Sequence, residues 1–242
     1  MLLRTLLAVA FAVGLVGLVA SDCLQPASRV AYDPYADVDW DADLALLTQF
    51  HDHAGGPNIV QTRIQAYDAA GYHVQALLHY SGCPWLAGAW GEVRDPPEAW
   101  LSASVLASLG NTEVILPSGE QVCLGEHFTT PFLTHYIEAW DPAHGSPPVK
   151  QPHQYATTQE GIDLARSLGG MVFYGHPLHS TPPDERNFDG VEVFSAHYWN
   201  AYLRGSYAAD PNENMLANWD ALLEEAPSIL GIAVNDWLGP VA

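Results

Sequence analysis

The residues best suited to chemistry begin with His51 and His53, which close the apolar run Leu44 to Phe50 and are separated only by Asp52. Positions i and i+2 of a β-strand face the same way, so both imidazoles can grip one ion while Asp52 points away. A His-x-His pair is a weak signal alone, because surface and packed histidines are common. Four later residues strengthen it: Glu126, His135, His176 and Asp236, several of them at the ends of apolar, strand-like runs. Neutral imidazole and carboxylate suit Zn, Mn or Fe, and a carboxylate can bridge two ions. Two ions ~3.5–4 Å apart activate a water and steady the charge of an in-line displacement at phosphorus.

These side chains need elements to position them. Leu44 to His53 reads as the first strand. Asn58 caps a helix with the apolar face Ile59, Val60, Ile64 and Tyr67, and Gly71 ends it. Val74 to Leu78 is the second strand, so the chain opens as a β-α-β unit. After a long loop, Ser81 to Pro97, a helix is expected over Glu98 to Leu109. Short strands are expected over Glu113–Leu116 and Gln121–Gly125, around a Pro-Ser-Gly turn at 117–119, and then over Thr134–Trp140. Thr157 and Glu160 form a capping box for a helix that stops at Gly169. Met171 to Tyr174 is a buried strand ending in Gly175-His176-Pro177, and Val191 to Phe194 is the next. Met215, Leu216, Trp219, Leu222 and Leu223 share a helical face, and Ile229 to Val234 leads to Asn235-Asp236. Alternating strands and helices predict a parallel sheet or barrel, where sites gather at the carboxyl ends of strands. His51, His53, His79, His176 and Asp236 all fall at such ends.

The 242 residues carry 28 acidic and 8 basic side chains, net −20, with Lys150 the only lysine. A basic nucleic-acid-binding surface is excluded by that balance, and an anionic substrate needs a local positive centre such as a metal cluster. Residues 1–22 read as an export signal or lipoprotein-type signal: Arg4 is followed by an apolar run from Thr5 to Ala20 that is short for a membrane span. Cys23 offers a lipid anchor, although Asp22 fits a lipoprotein signal poorly. The protein is therefore expected to be exported, whether periplasmic, secreted or membrane-anchored. Residues 23–43 read as an irregular lead and 44–242 as one domain, expected to be the metal-dependent hydrolase domain if the candidate ligands converge. Cys83 and Cys123 either pair as a disulfide or stay buried thiols.

Taken in order, these segments resemble the PHP family, the polymerase and histidinol phosphatase superfamily of metal-dependent phosphoesterases, from about Tyr35 to Asp236. The resemblance rests on Phe50-His51-Asp52-His53; on Gly71-Tyr72 before an apolar strand; on Leu124-Gly125-Glu126 with Thr129-Thr130 and His135; on Gly169-Gly170-Met171-Val172 with His176-Pro177; on Gly190-Val191-Glu192-Val193-Phe194; and on Trp219-Asp220 to Leu223 followed by Asn235-Asp236. It implies an α/β fold, a distorted (β/α)7 barrel. Because the chain stops at Ala242, the closing C-terminal helix of that barrel is expected to be lacking. The resemblance further implies His51, His53, Glu126 and Asp236 around one ion, and Glu126, His135 and His176 around a second, with Glu126 bridging beside a metal-bound hydroxide. His127 and His144 are rivals to His135. His79, Glu192 and His197 are expected behind the ligands or against the substrate, and His179 at the surface.

The chain departs from the family where Leu78-His79-Tyr80 stands for Thr-Asp-His, where Leu238 replaces the histidine of a closing Asp-x-His, and where Ala54 replaces a threonine. Members with three metals draw the third site from these places, so two divalent ions are expected here. The expected activity is hydrolysis of a small phosphate ester or other anionic substrate. The rivals are another ester or amide hydrolysis on a related metal barrel, and a degenerate barrel that binds a metal or partner without turnover.

Overall fold

The structure is a computed structural model; it describes residue 39 and residues 45–53, 57–78, 101–144, 146, 148–178 and 182–236. The chain divides into two compact units, Met1–Asp43 and Leu44–Ala242. Only Asp39 of the first is described. The signal, the lead apart from Asp39, His79, His179, Leu238 and Cys83 lie outside the described residues. Cys123 is disulfide-bonded. No described helix is long and apolar enough to cross a membrane.

The opening unit is β1 (Thr48–His53), α1 (Pro57–Ala69) and β2 (Val74–Leu78). Val60, Ile64 and Tyr67 recur at helical spacing and are fully buried. Val60 and Ile64 pack with Leu77 of β2. A short helix, α2 (Ala103–Leu106), is capped by Ser102, whose side chain accepts from the Val105 amide. Then comes β3 (Glu113–Ile115). β1, β2 and β3 form a parallel sheet in that order.

The larger sheet is built from β4 (Gly119–Gln121), β5 (Phe128–Thr130), β8 (Phe173–Tyr174), β9 (Gly190–Ser195) and β10 (Leu230–Val234), in the order β10-β9-β8-β5-β4. β8, β9 and β10 run parallel, whereas β5 is antiparallel to both β4 and β8. A small pair, β6 (Glu138–Ala139) and β7 (Gln154–Tyr155), stands apart. The main core lies on this side, with Phe128, Ile137, Tyr155, Ile162, Val172, Tyr174 and Val191 in one cluster. Each such side chain contributes roughly 1.5–3 kcal/mol by leaving water.

Helix α3 (Thr158–Ser167) starts as its capping residues dictate: Thr157 accepts from the Glu160 amide, and the Glu160 carboxylate reaches back to the Ala156 amide. It stops before Gly169, whose φ of +83° only glycine adopts without strain. Helix α4 (Ala196–Leu203) follows β9 directly, and α5 (Pro211–Glu225) begins on an Asp210 cap with Pro211 in its first turn. Gly190 is demanded by packing: a Cβ there would lie 2.6 Å from the Leu230 carbonyl oxygen of β10.

Three expectations are corrected. The strand expected over Gln121–Gly125 is Gly119–Gln121 instead. Pairing Gly119 with Thr130 and Gln121 with Phe128 leaves residues 122–127 as the hairpin connection, where Gly125 turns at φ +108°. The strand expected over Thr134–Trp140 shrinks to β6, because 134–137 is loop. The helix expected over Glu98–Leu109 is described only from Ala103 to Leu106, starting where Ser102 caps it. The chain is mixed α/β with parallel pairings, and among the described residues the strands do not close into a barrel. β1 and β10 do meet: an isolated parallel bridge joins Asp52 to Asp236, and Phe50 stacks on Phe173 of β8.

Candidate metal centre

β1 ends in the centre of the site. Its pairing with β2 slips between Gln49 and Asp52, an irregularity that re-aims side chains at a strand end. His51, Asp52 and His53 are all fully buried. The imidazoles point the same way, their Nε2 atoms 3.3 Å apart. Asp52 points away and pairs with Arg63 of α1 at 3.0 Å.

Two carboxylates close on the imidazoles. Glu120, on β4, is 1% exposed, and Asp236 follows β10. His51 Nε2 lies 3.5 Å from Glu120 Oε2 and 3.6 Å from Asp236 Oδ1; His53 Nε2 lies 3.1 and 3.2 Å from the same two oxygens. A tetrahedron has edges about 1.6 times its centre-to-corner bond, so zinc bonds of ~2.0–2.1 Å imply edges near ~3.3–3.4 Å. The five nitrogen–nitrogen and nitrogen–oxygen distances, from 3.1 to 3.6 Å, straddle that value. Glu120 Oε2 is buried and makes no hydrogen bond although two ring nitrogens approach it. Three potential donors, from His51, His53 and Glu120, converge within reach of one point, and with one of them an orphaned oxygen they fit a cation between them.

The other Glu120 oxygen faces a second group. Oε1 is 2.9 Å from His127 Nδ1 and 3.4 Å from His176 Nε2, and those nitrogens are 3.2 Å apart. Glu120 thus turns one oxygen to each group, the geometry of a bridging carboxylate. His51, His176 and Asp236 also come together within 4.8 Å.

Glu192 of β9 sits behind the histidines. Its Oε1 is 2.5 Å from His51 Nδ1, and its Oε2 accepts from the His176 amide at 2.8 Å. A carboxylate on the far ring nitrogen fixes which nitrogen faces the ion. Further out, Asn218 and Asn214 of α5 donate to the Pro177 and Leu178 carbonyls, pinning the loop that carries His176. His176 and Asp236 both adopt left-handed backbone, φ 27° and 56°, which costs roughly 1–3 kcal/mol each. The Asp236 amide is held by the His51 carbonyl at 2.9 Å.

Electrostatics follow from crowding. Burial alone would lower the His51 pKa, but Glu192, Glu120 and Asp236 outweigh it and hold the pKa well above the usual value. Burial pushes Glu120 up, yet His51 and the hydrogen bonds from His127 and His176 carry it well below the carboxylate range. Asp236, pushed up by burial and pulled down by His51 and His53, is lowered to about 2. Ionised carboxylates are ready to take a cation, and a protonated His51 would release its proton as an ion binds.

Of the six residues predicted as ligands, the structure brings His51, His53, His176 and Asp236 together and places Glu126 and His135 elsewhere. Glu126 lies in the β4–β5 connection beside Tyr174, lining a cavity of about 180 Å³ with Asp184 and Glu185. His135 stands next to His153, ring centroids 4.7 Å apart, with Nδ1 on the Thr134 hydroxyl. Glu120 and the rival histidine His127 stand where Glu126 and His135 were expected. Gly119-Glu120 offered the same Gly-Glu signal one strand earlier, and its separation of seven residues from His127 spans the hairpin. His197 is in the first turn of α4 against the Tyr198 ring.

No family model matches the sequence, and no curated protein matches it. Among solved structures, the chain is similar to a two-domain protein containing a predicted PHP-like metal-dependent phosphoesterase from Bacteroides vulgatus ATCC 8482. The two are 15% identical at a TM-score of 0.50, over 79% of this chain and 52% of that one. The chain therefore spans about half the length of that protein. A second similar structure, from Bifidobacterium adolescentis ATCC 15703, belongs to a protein proposed to be a metal-dependent phosphoesterase; it is 14% identical at a TM-score of 0.42, over 80% of this chain and 88% of that one. The first likeness is one of fold, and it agrees with the PHP-type resemblance read from the motifs.

Proposed function

We propose that this chain is an exported, PHP-type metal-dependent hydrolase that cleaves a small phosphate ester at a two-ion centre. The observation that carries the reading is Glu120, buried, with one oxygen in each of two His/carboxylate groups. His51, His53 and Asp236 would hold one divalent ion and His127 and His176 the other, with Glu120 shared between them. Bound there, Zn, Mn or Fe ions would supply Lewis acidity and a water activated at neutral pH.

The chain's own residues supply the rest. Glu192 orients His51 and holds the His176 backbone. The Asp52–Arg63 pair, with Arg63 also on the His53 carbonyl, anchors the end of β1. In the reaction a water oxygen bonds to phosphorus, the ester P–O bond breaks, and the alcohol leaves with a proton. On a chain of net charge −20, an anionic ester needs the ions to draw it in. Export by residues 1–22 is part of the proposal.

The test is metal analysis of the purified mature protein alongside a screen of phosphomonoesters, phosphodiesters, carboxylic esters and amides. About two transition-metal ions per chain and turnover confined to phosphate esters are expected. A folded sample without bound metal that takes none up on addition would overturn the reading, and turnover confined to carboxylic esters or amides would replace its substrate class.

A further inference from the structure

Tyr198, in the first turn of α4, places its hydroxyl 3.4 Å from His176 Nδ1, the ring nitrogen turned away from Glu120 and His127. The two rings lie against each other, centroids 5.0 Å apart and planes at 50°, and the outer side of Tyr198 meets Tyr207 at 6.0 Å. Among the described residues Tyr198 is the hydrogen-bond partner of that nitrogen. An imidazole whose Nε2 lone pair serves an ion must carry its proton on Nδ1, and that proton needs an acceptor. His51 has Glu192 for this purpose, but Glu192 reaches only the backbone amide of His176.

We propose that Tyr198 is the positioning residue of the second ion site: its phenol oxygen accepts the His176 Nδ1 proton and so fixes the tautomer and ring angle that aim Nε2 between Glu120 and His127. The inference rests on the two-ion reading above. The phenol's own O–H stays available.

Tyr198→Phe keeps the ring and removes the hydroxyl. With Zn²⁺ as the probe and a chromogenic chelator as competitor, the wild type should take up two ions. The variant should keep one at wild-type affinity and bind the other about 10–100-fold more weakly, the usual cost of losing such a partner. The melting temperature of the metal-free variant should match that of the wild type. In ¹⁵N NMR of the zinc-loaded wild type, His176 should appear as the Nδ1–H tautomer with a slowly exchanging proton, and that protection should vanish in Tyr198→Phe. Two ions bound equally well by both proteins would overturn the proposal alone. A wild type that takes up no zinc would overturn the two-ion reading and this inference with it. A wild type that binds two ions but cleaves no phosphate ester would sink only the substrate assignment, and the zinc comparison would still decide the role of Tyr198.

Discussion

Glu120 keeps its charge in a place where charge is expensive. An ionised carboxylate leaves water at a cost of several kcal/mol unless it is paired, and Glu120 is 1% exposed. Imidazoles repay that cost from both of its oxygens, which is why its pKa falls although burial opposes the fall. Glu126, on the hairpin connection, lies instead in a cavity wall with Tyr174, Asp184 and Glu185. Glu120→Gln should therefore weaken zinc binding by more than the roughly 100-fold seen for residues that only orient a ligand, whereas Glu126→Gln should leave zinc affinity within about twofold. Competition titrations on both variants measure this, and the reverse ranking would return the bridge to Glu126. At this scale the sequence was legible where local geometry decides. His51 and His53 share a face because a strand alternates, and His176 and Asp236 end apolar runs. Glu120 was not legible, because its role depends on how many residues the β4–β5 hairpin spends on its connection. That number is set by the pairing of Gly119 with Thr130, not by any property of the glutamate.

The same division runs through the elements. The β1-α1-β2 order, the Thr157 cap and the Gly169 stop follow from periodicity and capping chemistry, whereas β1 starts at Thr48 and not Leu44, α1 starts at Pro57 ahead of the expected Asn58 cap, and Ile59 is exposed. β6 and α2 came out shorter than their apolar patterns suggest because partners and caps, not propensity, bound them. One tertiary cap had no sequence signature. Asp68, in the last turn of α1, accepts the backbone amides of Gly110, Asn111 and Thr112, at 3.1, 2.7 and 2.9 Å, and so ties the helix to the segment entering β3. Those bonds, led by the Asn111 and Gly110 amides, lower its pKa from the usual 3.8. A carboxylate depressed in the folded state stabilises fully above its unfolded value and loses that contribution as pH falls through the folded one. Asp68→Asn should thus cost about 1 kcal/mol near neutral pH, a small figure because the site is exposed and screened. The gap between variant and wild type should hold from pH 7 to pH 5 and close below pH 3.8. Urea titrations across that range check it; a gap that widens toward acid would point to another cause.

For the molecule as a whole, the candidate ligands are drawn from two sheets. His51 and His53 belong to the three-stranded sheet, while Glu120 lies in the five-stranded sheet and Asp236 just beyond it. Between them run the Asp52–Asp236 bridge and the Phe50–Phe173 stack. Ions at the centre would fasten the two sheets across that seam and offset the mutual repulsion of Glu120, Glu192 and Asp236. A ligand that binds only the folded chain stabilises it by about 2.7 kcal/mol at 100 times its dissociation constant. For a domain of this size each kcal/mol moves the melting temperature by about 2–4 °C, so the expected rise over chelator-treated protein is roughly 5–10 °C. A chain of net charge −20 would also gain from general screening, so the decisive comparison is calorimetry of wild type and Glu120→Gln, each with zinc and with sodium chloride of equal ionic strength. Screening acts on both proteins alike. Coordination requires the shared carboxylate, so the zinc-specific rise should appear in the wild type and vanish in the variant, and an equal rise in both would mean that the cation acts on the acidic surface and not at this centre.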